Sequence, residues 1–308
     1  MTDKIKSAND IFAVVLVGGK GKRLRPLSTN ARPKAFLSIT KDRKTMFRVT
    51  VDRIRKIIPP VRILVSANAS HAALIKKDFP GLRNENLLLE PVSRNTAPAI
   101  GFAARAIKER HPNAIMVIIP ADQYILDEKK YLDAIKRGAA FARDNDSLVL
   151  LALRPAFAST GFGYVKVAKS QFKVQGSRFK GKDIYKVKKF VEKPNLETAR
   201  RFIKDGRFFW NAGAFIFSAN SLLRAMAKFA PDIFSLIMQL DGERNGRVYR
   251  KFPDISIDYA LMERADNIYC VKGGYRWRDV GSFEALRDVL RMESRDFTEK
   301  NGKITRIL

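Results

Sequence analysis

The sequence contains a glycine-rich, basic loop directly after its first apolar run. The loop residues that could meet a phosphate chain are Gly18, Gly19, Gly21, Lys22 and Arg23. Glycines let backbone N–H groups approach phosphate oxygens, and cationic side chains neutralise the phosphate charge. The Walker A spacing and the dinucleotide-binding fingerprint are both missing, because no Gly-Lys-Ser/Thr follows and the third glycine is lacking. The pattern therefore predicts either a phosphate loop of another kind or an ordinary glycine turn.

The segment after this loop favours phosphate binding over an ordinary turn. Pro26 and Pro33 restrict the backbone to an extended path. Lys34, which closes the segment, could reach back to a phosphate.

Two aspartates could supply a metal site. Asp122 follows the apolar run 114–119, and ligand-binding groups of an open parallel sheet lie at the carboxyl ends of its strands. A carboxylate there can hold Mg²⁺ against phosphate oxygens, although an aspartate at a strand end is more often a turn or capping residue. Asp279, in the segment 277–281, is the natural second ligand.

The first half of the sequence alternates continuous apolar runs with helical patterns. The apolar runs span 11–17, 61–65, 87–89, 114–119 and 148–153. Continuous apolarity predicts strands that are buried on both faces. Apolar residues at helical spacing over 46–58, 97–108 and 131–141 predict helices between them. This order predicts an α/β fold with a Rossmann-like, doubly wound, mostly parallel sheet.

The second half of the sequence has a different pattern. In 162–167 and 184–191 apolar residues alternate with lysines, which is typical of half-exposed antiparallel strands. The lysine-rich stretch 166–182 indicates a solvated hairpin or loop. Further helical patterns occur at 196–204, 221–228, 257–264 and 283–291. We therefore expect a small antiparallel elaboration of an otherwise mostly parallel, mixed sheet.

The composition limits the possible classes of protein. The 308 residues include 59 Lys and Arg against 31 Asp and Glu, which gives a formal net charge of +28. With 46% hydrophobic residues the chain can bury a core. Its single cysteine, Cys270, excludes an intramolecular disulfide and a cysteine-built zinc site. No apolar run approaches the roughly 20 residues of a membrane helix, so we expect a cytoplasmic protein without a membrane partner.

The positive charge leaves nucleic acid or anionic substrates as partners. The sequence contains no recognition module of the usual nucleic-acid-binding kinds, so nucleic acid is the less favoured partner. His71 and His111 are the only histidines, and neither has a catalytic neighbour in the pattern. We interpret both histidines, and Cys270, as structural residues.

Several motifs together resemble a known enzyme family. The segment 17–28, with Pro33 and Lys34 after it, resembles the signature of the sugar-1-phosphate nucleotidyltransferases. The segment 90–100, Glu-Pro-Val-Ser-Arg-Asn-Thr-Ala-Pro-Ala-Ile, is similar to the mannose-1-phosphate guanylyltransferase branch of that family. Further matching motifs follow in the family's order at 120–122, 161–164, 190–194, 210–213, 256–260 and 277–282. The resemblance covers about residues 11 to 290.

This resemblance implies a role for each matching residue. Arg23, Lys34 and Lys193 would be the catalytic cations. Asp122 and Asp279 would hold Mg²⁺ as the cofactor. The nucleotide would contact Gly18, Gly19, Gly21, Lys22, Glu90, Asn95 and Thr96. The sugar phosphate would contact Gly163, Glu192, Lys193, Asn211 and Asp258.

Some of these assignments have structural alternatives. Glu90 or Asn95 could accept hydrogen bonds from guanine, but Glu90 could instead cap the following helix and pair with Arg94. Asn211 could lie in a plain turn. Asp258 could cap the N-terminus of a helix.

The resemblance implies transfer of a nucleotidyl group from GTP to α-D-mannose 1-phosphate, which gives GDP-mannose and pyrophosphate. Alternatives are a guanylyl- or other nucleotidyltransferase for a different sugar 1-phosphate, such as that of a heptose or of glucose, or a non-catalytic regulatory member of the fold. We expect one domain over 1–295, with a nucleotide-binding part at about 11–155 and a sugar-phosphate-binding part at about 156–290. A short tail would follow at 296–308, and the sequence leaves a homodimer open.

Overall fold

The structure, a computed structural model, describes residues 10–19, 21–169, 183–241 and 245–308. We expect the lysine-rich stretch 166–182 to form a hairpin or loop. Most of this stretch, residues 170–182, lies outside the described residues.

The first half of the chain forms the parallel part of a mixed sheet. Its strands are β1 (Ile11–Val17), β2 (Ile63–Asn68), β3 (Leu87–Glu90) and β4 (Ile115–Pro120). Their spatial order is β3-β2-β1-β4, and the three pairings are parallel. Most residues of β1 and β4 are buried, because helices cover both faces of the sheet. A short strand outside this sheet, β5 (Gln123–Ile125), follows β4.

Helices from this half pack on the two faces of the sheet. They are α1 (Met46–Ile54), α2 (Ala72–Asp78), α3 (Thr96–Arg110) and α4 (Glu128–Asp144). Side chains of a strand point to alternate faces. Ala13 and Val15 of β1 accordingly share one core with α1 and α4, while Phe12 and Val14 share the other core with α3.

The second half of the chain adds further strands to the same sheet. They are β6 (Leu148–Leu153), β7 (Tyr164–Val167), β8 (Ile184–Val191), β9 (Phe208–Ser218) and β10 (Ile268–Lys272). From β4 the order continues as β9-β6-β10-β8-β7, and β7 also pairs with β9. Strands β6 and β10 are parallel, and the other pairings of this part are antiparallel. The expected mixed α/β fold with an antiparallel elaboration is confirmed.

The helices of the second half pack around these strands. They are α5 (Leu196–Asp205), α6 (Ala219–Phe229), α7 (Pro231–Met238), α8 (Asn245–Tyr249) and α9 (Phe283–Met292). A π-helix spans Asp258–Met262. The sequence pattern at 208–218 did not indicate strand β9. Asn211 lies inside β9, so the alternative that it lies in a plain turn is wrong.

The last part of the chain supports the glycine-rich loop. Strand β11 (Trp277–Asp279) pairs antiparallel with β5, and β12 (Phe297–Lys300) and β13 (Lys303–Ile307) form a hairpin. Ile304 of this hairpin is fully buried. It belongs to a third apolar cluster together with Leu24, Leu27 and Leu37. The segment that we expect to form a short tail therefore contributes a side chain to the core under the loop.

Candidate active site

Three charged residues from distant parts of the sequence meet at the carboxyl end of β4. Asp122 lies two residues after the end of β4, and the pairing of β11 with β5 places Asp279 opposite Gln123. The Nζ atom of Lys34 lies 2.9 Å from Asp122 Oδ2 and 3.1 Å from Asp279 Oδ1. Burial lowers the pKa of Lys34, but the two carboxylates outweigh this effect and raise its pKa. One buried ammonium therefore holds the two carboxylates together.

The carboxylate pair has the donor chemistry of a divalent cation site. Carboxylate oxygens are the ligands that Mg²⁺ and similar hard cations prefer. The ammonium of Lys34 already places one positive charge between the two carboxylates. The side chains of Asp122 and Asp279 are 25% and 28% exposed, so a ligand can reach them. In the described ranges no three His, Cys, Asp or Glu side chains form a metal-binding group. A metal here would thus need further ligands from substrate or water.

The glycine-rich loop leaves β1 in conformations that favour glycine. Gly19 has a φ of 88° and Gly21 a φ of 58°, in the region that other residues rarely adopt. A Cβ atom on Gly21 would lie 2.9 Å from the hydroxyl of Ser28, and this hydroxyl donates to the Gly21 carbonyl at 2.6 Å. Leu24 anchors the loop in the third apolar cluster.

A first cavity, of about 690 Å³, lies between this loop and the beginning of α3. Most of the predicted nucleotide contacts line it, namely Gly18, Gly19, Lys22, Glu90, Asn95 and Thr96. Gly21 is the exception, since it shapes the loop without lining the cavity. Asp122 also lines this cavity. The first cavity therefore reaches one carboxylate of the pair, that of Asp122.

Glu90 is a buried carboxyl group at the wall of the first cavity. The Ser66 hydroxyl donates to its Oε1 at 3.1 Å. Burial raises the pKa of Glu90, and the hydroxyls of Tyr249 and Ser66 and the backbone N–H of Arg94 act in the opposite direction. The Arg94 guanidinium donates to the carbonyl of Arg250, so the alternative of a Glu90–Arg94 side-chain pair is not found among the described residues.

The N-cap residue of helix α3 is Asn95 and not Glu90. The Oδ1 atom of Asn95 accepts a hydrogen bond from the Thr96 N–H at 3.0 Å, which is the role of an N-cap residue. Its φ is 66°, a strained value for a residue other than glycine. The alternative in which Glu90 caps this helix is therefore wrong.

A second cavity, of about 220 Å³, adjoins the first, and both are lined by Leu16, Thr96, Pro120 and Asp122. Four predicted sugar contacts line it together with Asp279, namely Gly163, Glu192, Asn211 and Asp258. Lys193 is linked to this cavity through Glu192, since its Nζ donates to Glu192 Oε1 at 2.6 Å.

The polar side chains of the second cavity hold one another in place. Asn211 Nδ2 donates to Asp258 Oδ1 at 3.0 Å, and the Gly213 N–H donates to Asn211 Oδ1 at 3.0 Å. A Cβ atom on Gly163 would overlap Oε2 of Glu192. The glycine is thus required for the close approach of this carboxylate.

Asp258 faces the second cavity from the first position of the π-helix. Burial and the nearby Glu192 carboxylate raise its pKa to about 7. The N-cap position of the π-helix is Ile257, and Ser256 Oγ accepts from the Tyr259 N–H at 3.4 Å. Asp258 therefore lies in the first turn of the π-helix and not at its N-cap position.

Arg23 lies close to Asp279, beside Gly281. A Cβ atom on Gly281 would be 2.8 Å from Arg23 Nη2 and 3.0 Å from Asp279 Oδ2. Arg23 lines a third cavity, of about 530 Å³, together with Asp279. The guanidinium is thus near the reacting region but does not line the first cavity.

Some residues that line the first cavity were not predicted from the sequence. Arg25 and His71 are among them, together with Asn68 and Ser70. Burial lowers the pKa of His71, which favours its neutral form. Arg25 lies inside the loop motif 17–28, and its place in that motif could have identified it as a residue of the site. His71 follows β2 in a polar segment, where the sequence offers no comparable signal.

The fold and this site define an α/β protein with two adjoining cavities at the carboxyl ends of its parallel strands. Residues 12–295 match the family described as nucleotidyl transferase. The chain belongs to this family. Nucleotidyltransferases of this family generally use a divalent metal.

Individual relatives are also similar to the chain over most of its length. The chain is 35% identical, over 91% of its length, to mannose-1-phosphate guanylyltransferase 2 of Escherichia coli O157:H7, and 32% identical, over 93%, to a mannose-1-phosphate guanylyltransferase of Escherichia coli. It spans 60% and 63% of the length of these two curated relatives. A crystal structure from Thermus thermophilus, described as a mannose-1-phosphate geranyltransferase, matches with a TM-score of 0.81 and 32% identity, covering 94% of this chain and 81% of the other.

The structure also bears on membrane association. Among the described residues no helix is long and apolar enough to cross a membrane.

Proposed function

We propose that the chain transfers a guanylyl group from GTP to α-D-mannose 1-phosphate, which releases pyrophosphate and forms GDP-mannose. The observation that carries this proposal is the meeting of the first and second cavities at Asp122, beside Asp279 and Lys34. Two substrates in these cavities would have their reacting phosphates next to each other. The names of the relatives support the choice of substrates.

The reaction would be a direct displacement. A phosphate oxygen of the sugar phosphate attacks the α-phosphorus of GTP, and pyrophosphate leaves in line with the new bond. The nucleophile is already an anion, so the step needs neither a general base nor a covalent enzyme intermediate. The enzyme's contribution is then alignment of the two phosphates and neutralisation of their charge.

The cations around the carboxylate pair fit this task. Lys22 and Arg25 line the first cavity, where the triphosphate would bind. Lys34 lies between the two carboxylates, and Arg23 lies close to Asp279. Lys193, next to Glu192, would hold the incoming sugar phosphate. Arg23, Lys34 and Lys193 are therefore the proposed catalytic cations.

Asp122 and Asp279 would hold Mg²⁺. The ion would supply positive charge to the phosphate oxygens as negative charge develops on them.

Glu90 and Asn95 would recognise the guanine base in the first cavity. A carboxylate can accept hydrogen bonds from both N1–H and the exocyclic amine of guanine. The hydroxyl of Ser66 orients Glu90 for such a contact. Glycines 18 and 19 would present backbone N–H groups to the phosphates, and Thr96 lies where the two cavities meet.

Glu192, Asn211 and Asp258 would bind the sugar hydroxyls in the second cavity, while Gly163 leaves room for the ring. Their mutual hydrogen bonds keep donors and acceptors in fixed directions. We assign 11–155 to nucleotide binding and 156–290 to sugar-phosphate binding within one domain over 1–295.

A panel of pyrophosphorolysis reactions tests this function. The purified chain is incubated with pyrophosphate, Mg²⁺ and either GDP-mannose, UDP-glucose, dTDP-glucose or ADP-glucose. Formation of GTP from GDP-mannose at a rate at least about 100-fold above the other reactions is expected. Faster cleavage of another nucleotide-sugar would transfer the proposal to that base and sugar, and no cleavage of any would favour a regulatory role.

A further inference from the structure

A cluster of four arginines lines a separate cavity between the segment 27–43 and the C-terminal hairpin. The volume of this arginine cavity is about 490 Å³. Its arginines are Arg32, Arg43, Arg295 and Arg306. No Asp or Glu side chain is among the described residues that line it. The cavity therefore concentrates positive charge without acidic side chains to balance it.

Arg295 lies at the base of this cavity and has an unused donor. The residue is 9% exposed, and its Nη1 donates to the Thr40 carbonyl at 2.7 Å. Its buried Nε has no hydrogen-bond partner. A buried donor without an acceptor costs free energy, so the hydrogen-bonding capacity of the Arg295 guanidinium is only partly used by the described protein groups.

The other three arginines stand at the exposed mouth of the cavity. One of them, Arg32, uses Nη2 to donate to the Leu27 carbonyl at 3.2 Å. In the part of the chain that the structure describes, no ion pair joins Arg32, Arg43 or Arg306 to a carboxylate side chain. Their guanidinium groups thus remain available to a ligand.

We propose that the arginine cavity binds a small anion that carries two or more phosphate groups. Guanidinium groups bind phosphate oxygens through paired hydrogen bonds. Four such groups provide more charge than a monocarboxylate can neutralise, and Ser38 also lines the cavity and carries a hydroxyl donor.

The site is separate from the first cavity but shares a segment with it. Arg32 lines the arginine cavity, while Asn30 and Pro33 on either side of it line the first cavity. A test must therefore distinguish the two places of binding.

Calorimetric titration of the whole chain with inorganic tripolyphosphate tests the proposal. The first cavity should also bind this probe, so three proteins are compared: the wild type, Arg43→Gln/Arg306→Gln, and Lys22→Gln/Arg25→Gln. We expect two sites in the wild type. Arg43→Gln/Arg306→Gln should weaken one site at least about 10-fold, and Lys22→Gln/Arg25→Gln should weaken the other. Since Arg43 and Arg306 are exposed, their variant should fold and retain the turnover of the wild type without the probe.

Two results would overturn the proposal. One is identical tripolyphosphate binding by the wild type and Arg43→Gln/Arg306→Gln. The other is a single site that Lys22→Gln/Arg25→Gln abolishes, which would mean that only the first cavity binds the probe. Neither result depends on which nucleotide and sugar the chain joins.

Discussion

The Nζ atom of Lys34 lies between Asp122 and Asp279, 2.9 Å from the first carboxylate and 3.1 Å from the second. These residues belong to a loop after β1, to the end of β4 and to β11. The contact therefore links the segment that follows the glycine-rich loop to both carboxylates of the proposed reaction centre.

Replacing Lys34 by methionine should destabilise the chain and abolish most activity. The two carboxylates would then face each other without a cation, so we expect the free energy of unfolding to fall by roughly 2 kcal/mol in metal-free buffer. Turnover should fall by about 100-fold or more. Urea unfolding with and without millimolar Mg²⁺ checks the first effect, and Mg²⁺ should stabilise the variant more than the wild type. Lys22→Met, on the same loop, is the control that should leave stability unchanged.

Replacing Gly163 by alanine should weaken sugar-phosphate binding with little loss of stability. The added Cβ atom would displace the end of the Glu192 side chain, which is flexible, so the fold can adapt. We expect KM for mannose 1-phosphate to rise about 10-fold while KM for GTP changes little. Gly161→Ala is a matched control, because its Cβ atom would meet only Ser159 Oγ at 3.7 Å. Equal kinetics of the two variants would contradict the proposed role of Glu192.

Replacing Asp258 by asparagine should make the chain more stable at alkaline pH than the wild type. The pKa of Asp258 is raised to about 7 from the ordinary value of 3.8, so its ionisation opposes folding progressively as pH rises from about 4 to above 7. The asparagine cannot ionise and still accepts the hydrogen bond from Asn211. Urea unfolding should show that the variant gains as much as roughly 4 kcal/mol on the wild type between pH 4 and pH 8. A difference that does not change with pH would show that Asp258 ionises as freely in the folded as in the unfolded chain.

Replacing Ile304 by alanine should destabilise the chain although the residue lies near its C-terminus. Ile304 is fully buried under the glycine-rich loop, and removal of such a side chain costs about 3 kcal/mol. Ile307→Ala is the control, because Ile307 is only partly buried against the same cluster. If both variants unfold at the urea concentration of the wild type, the hairpin contributes little to the core.

Local sequence patterns predicted the elements whose apolar residues are continuous or regularly spaced. The bounds of β1 and β6 agree with the apolar runs at 11–17 and 148–153. Strand β9 was missed, because Asn211 and Gly213 interrupt its apolar residues and resemble a turn. The structure tolerates them there, since Asn211 faces the second cavity and Gly213 has a φ of 72°.

The composition of the two cavities was only partly predictable. Glu90 lines the first cavity and Asn211 the second, and their roles there are proposals. The ion pair between Lys34 and Asp279 joins residues 245 positions apart. It depends on the pairing of two three-residue strands, β5 and β11, which no local pattern reveals. His71 was missed for the same reason, since only the tertiary fold brings it to the first cavity.

Release of pyrophosphate from GTP is the decisive measurement of the proposed reaction. The assay compares the full mixture, containing mannose 1-phosphate and Mg²⁺, with mixtures that lack the sugar phosphate or contain UTP instead of GTP, and repeats the full mixture with Asp279→Asn. We expect pyrophosphate only when GTP and mannose 1-phosphate are both present, in equal amount to GDP-mannose, and a loss of about 100-fold or more in the variant. Release that is independent of the sugar phosphate, or wild-type turnover by Asp279→Asn, would contradict a direct transfer at the carboxylate pair.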